Sequence, residues 1–338
     1  IKHALWNQML CAHLIEVIRV LAPQEDRPVL IFDAMNLFLR VYSANPSISK
    51  HGHHVGGVVG FLKSMRNIID RFSPRQIYVV WEGGGSSRRR AIYPEYKKGK
   101  KPARMNKFYE QDIPDTQQNR NKQIATLISM MKNLPICQVY VGDCEGDDVI
   151  GYLCKYKLRD LPKVIVSSDQ DYYQLLNDNT RIFRLGRKEI VTHDHIPALL
   201  GVSANNYCVA KAAVGDSSDN IAGIKGAGYK TMAKRFSFLA VDEEADIKKI
   251  FEYASAHAEG KIKIYREIAD NFDVLERNWR LTYLDSRNLA ANQVNQIEQI
   301  VDTFEPKGNK IGMMRDLIAE GIQNFDVESL FLSFTYLD

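Results

Sequence analysis

Short, unbroken apolar runs alternate along this chain with longer segments in which apolar residues recur every three or four positions. Residues 28–33 (PVLIFD) form the first run and read as a buried strand ending on Asp33. At 56–72, Val59, Leu62, Met65, Ile69 and Phe72 follow a helical spacing. Residues 77–82 (IYVVWE) give a second strand, ending on Glu82. The same reading predicts a helix at 117–133, a strand at 137–141 (CQVYV) and a helix at 146–158, then a strand at 163–167 (KVIVS) and a short helix at 171–176. Strands apolar along their whole length, separated by helices, predict a parallel sheet covered on both sides. The expected class is α/β, with a mostly parallel central sheet flanked by helices. In such sheets, sites form beyond the carboxyl ends of the strands.

Residues 181–193 read as a hairpin around Gly186, 203–236 as helix, turn, helix, and 290–338 as mixed helix and loop. Residues 9–22 are apolar but interrupted by His13, Glu16 and Arg19, which suits an amphipathic packing helix better than a signal peptide. There is no run of 18 apolar residues, so no membrane partner is expected. The five cysteines, Cys11, Cys137, Cys144, Cys154 and Cys208, form no CxxC pair, which argues for a reducing cytoplasm and against zinc.

Acids gather at the expected strand ends. Asp33, Glu82, Glu145 with Asp147 and Asp148, and Asp169 with Asp171 fall there, and Asp216 and Asp219 follow in GDSSDN. A lone Asp after a strand is usually a helix cap, and Asp143 reads as a surface turn residue. Asp216 and Asp219 are three apart, the spacing of one helical face. So many carboxylates in one crevice repel one another unless cations intervene. Hard oxygen ligands select Mg²⁺ or Mn²⁺. Two such ions about 3.5–4 Å apart can activate water and steady the leaving oxygen of a phosphodiester.

The net charge of +4 averages two opposite regions. Without those nine carboxylates, 32 acids face 45 bases, a body of +13 around an acidic pit. That distribution suits a polyanion handled through cations. Residues 86–107 hold Arg88, Arg89, Arg90, Lys97, Lys98, Lys100, Lys101, Arg104 and Lys107 against Glu95 alone, with Tyr93, Tyr96 and Phe108 close by. Two readings fit: a solvated charged loop, or a groove for a single strand. GIKGAGYKTMAKRF opens a helix with Gly223, Gly226 and Gly228, which allow close backbone approach to a phosphate. Lys225, Lys230 and Lys234 add charge that reads no sequence. His51, His53 and His54 lack a neighbouring Cys or acid and read as a polar loop.

Four motifs in order resemble the 5′ nuclease family of flap endonucleases, 5′–3′ exonucleases of bacteriophages and the 5′ nuclease domain of DNA polymerase I. FDAMN looks like the first strand motif. EGDD resembles E-A-D-D with Gly146 for Ala, SSDQD resembles S-x-D-x-D, and GDSSDNIAGIKGAG resembles the last acidic pair joined to a glycine-rich helical module. PEYK after the second acid is closest to the phage enzymes.

The resemblance implies a PIN-like core at 28–200 with a basic arch at 83–110. It also implies a duplex-binding helical module at 201–285, an N-terminal helical extension at 1–27 and a C-terminal extension at 286–338. Asp33, Glu82, Glu145, Asp147 and Asp148 would serve a first metal site, and Asp169, Asp171, Asp216 and Asp219 a second. Glu82 stands where the family usually has Asp. Lys97 would assist phosphate chemistry, with Arg90 as a further clamp. Tyr96 either stacks on a base or packs, and Lys100, Lys101 and Lys211 would meet the substrate.

The implied function is two-metal hydrolysis of branched or 5′-ended DNA, or of RNA primers on DNA, in replication or repair. Mg²⁺ would be the cofactor with Mn²⁺ able to substitute, and a K⁺ could sit at the helical module. The expected assembly is a cytoplasmic monomer (host cytoplasm if viral) meeting replication proteins. The rivals are a PIN-like ribonuclease and a non-catalytic DNA-binding scaffold.

Overall fold

The computed structural model describes residues 27–85, 87–98, 117–335 and 337. The helix expected at 9–22, Lys100 and Lys101, and the rest of the basic stretch beyond Lys98 lie outside them.

The first half alternates as the apolar pattern requires. Strand β1 (Val29–Asp33) leads into α1 (Ala34–Ala44) and α2 (Gly56–Phe72), then β2 (Gln76–Trp81). Helix α3 (Ser87–Ile92) and α4 (Gln117–Met131) precede β3 (Cys137–Tyr140) and α5 (Gly146–Tyr152). Strand β4 (Lys163–Val166), a 3₁₀ turn at Asp171–Leu175, and the hairpin β5 (Thr180–Arg184) and β6 (Glu189–Val191) complete the sheet. The strand order is β3-β2-β1-β4-β5-β6, parallel except for β6 at the edge. With β1 central, the carboxyl ends of β1, β2, β3 and β4 open on one edge.

Side chains alternate across the sheet. Leu30, Phe32, Val79 and Trp81 pack with α1, α2 and α4 on one face, while Val29, Ile31, Tyr78 and Val80 pack with α5 on the other. Each fully buried Leu, Ile or Val contributes about 1.5–3 kcal/mol of transfer free energy, so both layers hold the sheet in place.

Two expectations need correction. The helix at 146–158 stops as α-helix at Tyr152 and widens into a π turn at Leu153–Lys157. The basic stretch contains α3, which a run of arginines gives no apolar period to reveal.

The second half is helical. Helices α6 (His195–Leu200), α7 (Tyr207–Val214), α8 (Tyr229–Arg235), α9 (Ile247–Ala256), α10 (Lys263–Asp270) and α11 (Phe272–Thr282) share a separate apolar cluster around Met232, Phe236, Ile250 and Leu275. Helix α11 packs on α7 and touches α3. The last helices return to the sheet domain: α12 (Ala291–Asp302) lies on β3, α13 (Lys310–Ala319) on α4 and α14 (Val327–Leu332) on α2. No helix among the described residues is long and apolar enough to cross a membrane.

Candidate active site

Asp33 ends β1 and performs two tasks with its two oxygens. Oδ1 caps α1 by accepting the Asn36 amide at 3.1 Å. Oδ2 accepts the Ser167 hydroxyl at 2.9 Å and lies 3.2 Å from the Tyr172 hydroxyl. Capping and membership of the pit are therefore not alternatives here.

Tyr172 is fully buried, and its hydroxyl also lies 2.7 Å from Asp147 Oδ1. One phenolic hydrogen thus stands between two carboxylates, a role that nothing but its place after Asp171 signals in the chain. Burial, then the charge of Asp147, pushes Asp33 up to about 6. Burial, then Asp147 and Asp171, pushes Asp169 up to about 7.

Glu82 leaves β2 beside a forced close approach. A Cβ on Gly83 would fall 1.7 Å from the Val141 carbonyl oxygen, so only glycine lets this turn lie under the end of β3. Glu82 accepts the Gly146 amide at 3.1 Å. Its desolvation in the pit outweighs that hydrogen bond and pushes it up to about 7.

The EGDD acids diverge. Glu145 accepts Lys97 Nζ at 2.8 Å and the Tyr96 hydroxyl at 2.9 Å, with Arg89 Nη1 at 3.4 Å. Burial works to raise its pKa, but Arg89 and Lys97 prevail and hold it below the usual carboxylate value. Asp148 is buried and faces Arg89 in a bidentate pair at 2.5 and 2.7 Å, with Asn288 donating at 3.0 Å. Successive helical residues point about 100° apart, which turns Asp148 to Arg89 while Asp147 meets Tyr172. Asp148 is thus a counter-charged structural acid rather than an open ligand. Arg89, unremarkable within the basic run, is the residue the sequence concealed.

The Tyr96–Lys97 turn is pinned to the downstream acids. The Lys97 amide donates to the Asp219 carbonyl at 2.9 Å, and Asn220 Nδ2 donates to the Glu95 carbonyl at 2.8 Å. Lys97 adopts a left-handed φ of 54°, uncommon for a residue with a Cβ. Its ammonium lies 3.9 Å from Asp219 Oδ2. Tyr96 is 4% exposed and packs with Ile221 and Leu281, so its ring supports Glu145 and is not open to a base.

Asp216 and Asp219 do not share a helix. Gly215 at φ +82° ends α7, and Asp216 pairs with Ile221 across a turn in which Asp216 Oδ1 accepts the Ser218 amide at 2.8 Å. Short polar side chains favour such turns over helix. Carboxylate oxygens of Asp171, Asp216 and Asp219 nevertheless lie within 4.8 Å of one another. Lys211 is buried among them, bonded to Asp171 and 2.7 Å from Asp216 Oδ2. That placement removes Lys211 from the surface and gives it to the acids. Burial raises Asp219 to about 6 despite Lys97. Burial also raises Asp171 against Lys211, whereas Lys211 and Ser218 overcome burial at Asp216 and lower it.

The helical module presents Lys225, Lys230 and Lys234 exposed. Gly228 is the N-cap of α8, and Gly226 has φ +82°. A Cβ on Gly223 would fall 2.0 Å from the Val214 carbonyl oxygen, so this glycine serves packing against the end of α7 rather than phosphate approach. Arg90 is exposed and lies against Gly85, near Asp143, whose carboxylate takes the Ser87 amide at 3.0 Å in an exposed turn.

Residues 28–201 match the family described as 5′–3′ exonuclease, N-terminal resolvase-like domain. The chain belongs to the 5′–3′ exonuclease family. As a member it is a 5′ nuclease, a hydrolase of phosphodiesters. A 5′–3′ exonuclease of Buchnera aphidicola (subsp. Schizaphis graminum) is 28% identical over 220 residues, 63% of this chain and 72% of its own length. DNA polymerase I of Caldicellulosiruptor bescii is 28% identical over 232 residues, 66% of this chain but 25% of the polymerase. The chain therefore corresponds to about a quarter of that protein. The bacteriophage T5 D15 flap endonuclease, solved as a pseudo-enzyme–product complex with DNA and metal ions, superposes with a TM-score of 0.65 at 18% identity, covering 82% of this chain and 98% of that one. That likeness establishes the shared fold. The carboxylate oxygens assembled in this exonuclease's pit are the donor chemistry that suits divalent cations.

Proposed function

We propose that this 5′ nuclease is structure-specific, cutting DNA at or near a 5′ end or flap, or RNA primers on DNA, with Mg²⁺ as cofactor and Mn²⁺ able to replace it. The observation that carries the reading is the convergence of four strand ends, the 3₁₀ turn and the 216–221 turn on one oxygen-lined pit bordered by Lys97. The DNA and metal ions in the T5 complex support the substrate and the cofactor class.

Asp33, Asp147 and Asp169 would hold one cation, and Asp171, Asp216 and Asp219 a second. Such ions supply a strongly polarising charge to the attacking water and the leaving oxygen. Glu82, hydrogen-bonded to Gly146, borders the first position. Glu145 orients Lys97, whose raised pKa keeps it cationic, and Lys97 steadies charge developing on the phosphate. Lys225, Lys230 and Lys234 would grip duplex phosphates beside the pit, and a K⁺ on the 223–228 backbone would help hold that module in place. The assembly would be a cytoplasmic monomer in contact with replication proteins.

The test offers the purified chain a 5′-flap DNA, a blunt duplex and a single-stranded RNA, each in Mg²⁺ and in EDTA. Cleavage near the flap junction, absent in EDTA, is the expected result. Preferential cutting of the RNA would replace this reading with a PIN-like ribonuclease.

A further inference from the structure

A second concavity, of about 220 Å³, lies between α3 and the end of α11, outside the acidic pit. Trp279 and Tyr283 line it as a stacked pair, with ring centroids 4.7 Å apart and planes at 19°. The Lys155 ammonium also stands 4.3 Å from the Tyr283 centroid. Arg88, Arg280 and Arg287 border the same space, and all three are exposed. Arg280 is shared with Glu276 at 2.8 Å and Arg287 with Asp285 at 3.1 Å. The Arg280–Glu276 pair lies on the surface and is worth little, so a phosphate can take over Arg280, whereas Asp285 is buried and a phosphate would have to share Arg287 with it.

The pocket also abuts the pit. Arg89 and Asn288 line it while both bond Asp148, and Arg89 reaches within 3.4 Å of Glu145. One guanidinium thus separates this space from the Lys97–Glu145 pair.

A half-buried indole ringed by exposed guanidiniums suits a flat π-system carrying phosphates. A base inside a duplex has both faces covered by its neighbours and offers nothing to the indole, whereas an unpaired base does. We propose that this pocket binds an unpaired nucleotide of the substrate strand, its base against Trp279 and its phosphate on Arg88 with Arg280 or Arg287. The proposal rests on the 5′ nuclease reading and adds to it a subsite that selects single-stranded overhangs.

The chain has three tryptophans, and Trp81 is 3% exposed, so Trp279 can be isolated by difference. In EDTA, to prevent cleavage, wild type is titrated with a thymine-rich DNA bearing a 5′ overhang and with a blunt duplex of equal length. The overhang should quench tryptophan emission and the blunt duplex should not, and Trp279→Phe should abolish most of the quench. Trp279→Ala should weaken overhang binding about tenfold or more and leave blunt-duplex binding unchanged.

Arg88→Ala with Arg280→Ala alters only exposed side chains. This pair should weaken overhang binding severalfold, and it decides the matter alone if Trp279→Ala does not fold. Equal quenching by blunt duplex, a quench that survives Trp279→Phe, or equal losses on both DNAs would overturn the proposal. A wild type that cuts the overhang DNA in Mg²⁺ yet shows no quench fails the subsite alone, while one that cuts neither DNA fails the nuclease reading with it.

Discussion

Two sets of acids in one pit are treated differently by the fold. Glu145 and Asp148 carry their cations with them: Arg89, 5% exposed, binds Asp148 in a fork, and Lys97 meets Glu145 at 2.8 Å. Asp33, Asp147 and Asp169 have hydroxyls and amides as their bonded neighbours, with Tyr172 bridging the first two. The electrostatic consequence follows this division only at some positions, because burial raises Asp148 even against Arg89. Lys97 and Arg89 hold Glu145 low, whereas burial and neighbouring carboxylates push Asp33 and Asp169 up. A carboxylate already matched by a guanidinium has little to gain from a metal ion, and one that is buried among other acids has a great deal. Proximity to the pit therefore does not by itself leave an acid open to a cation: Glu145 and Asp148 are matched by Lys97 and Arg89, and Asp171 and Asp216 share Lys211.

Neutralising an unmatched acid should have the largest effect. Asp169→Asn is expected to reduce cleavage to background while DNA binding persists, and above about pH 7, where Asp169 ionises, the metal-free variant should melt higher because one repulsive charge is gone. Wild-type rates in Mg²⁺ would erase the distinction between the two sets.

Lys97→Ala removes the cation that borders Glu145 and Asp219 and should slow single-turnover cleavage by about 10²–10³, with a much smaller loss of affinity. A loss confined to binding would move Lys97 out of the chemistry. On the matched side, Arg89→Ala strands Asp148 in the interior. Breaking a buried pair from one end costs about 3–5 kcal/mol, so urea denaturation should show a loss of that order, and a change below about 1 kcal/mol would mean Asp148 is not counter-charged in solution. The smallest effect is expected far from both sets. Lys230→Ala should flatten the slope of log affinity against log salt by about 0.9 and leave the rate of saturated enzyme intact.

Much of this was legible in the chain. Unbroken apolar runs such as 28–33 and 77–82 are too short for helices and read as buried strands, and their terminal acids mark one edge of the sheet. The helix at 56–72 was readable because its apolar residues repeat with the helical period over four turns. What stayed hidden depends on direction rather than composition. Arg88, Arg89 and Arg90 are equivalent in a string, and only the helix they form sends the middle one inward. Asp147 and Asp148 are likewise adjacent letters with opposite surroundings. The spacing of Asp216 and Asp219 suggested a helical face because it cannot show that Gly215 stops the helix first. Lys211 looked like a substrate contact in a basic protein and Tyr96 left stacking and packing open; burial, which no local pattern encodes for a Tyr or Lys among acids, places both inside.

Asp33, Glu82, Asp169 and Asp219 are expected to hold protons in the folded chain until cations replace them. Asp33 and Asp219 are raised to about 6, and Glu82 and Asp169 to about 7. Unfolded carboxylates titrate near 4. The folded state therefore binds more protons than the unfolded state between about pH 4 and 7, and linkage makes stability fall as pH rises through that window. The direct measurement is the melting temperature of the metal-free protein from pH 5 to 8, repeated with Mg²⁺. The account predicts that the metal-free melting temperature drops across this range, and that Mg²⁺ restores it at pH 8 with little effect at pH 5. A metal-free melting temperature that stays flat or rises from pH 5 to 8, or equal stabilisation by Mg²⁺ at both ends, would contradict it.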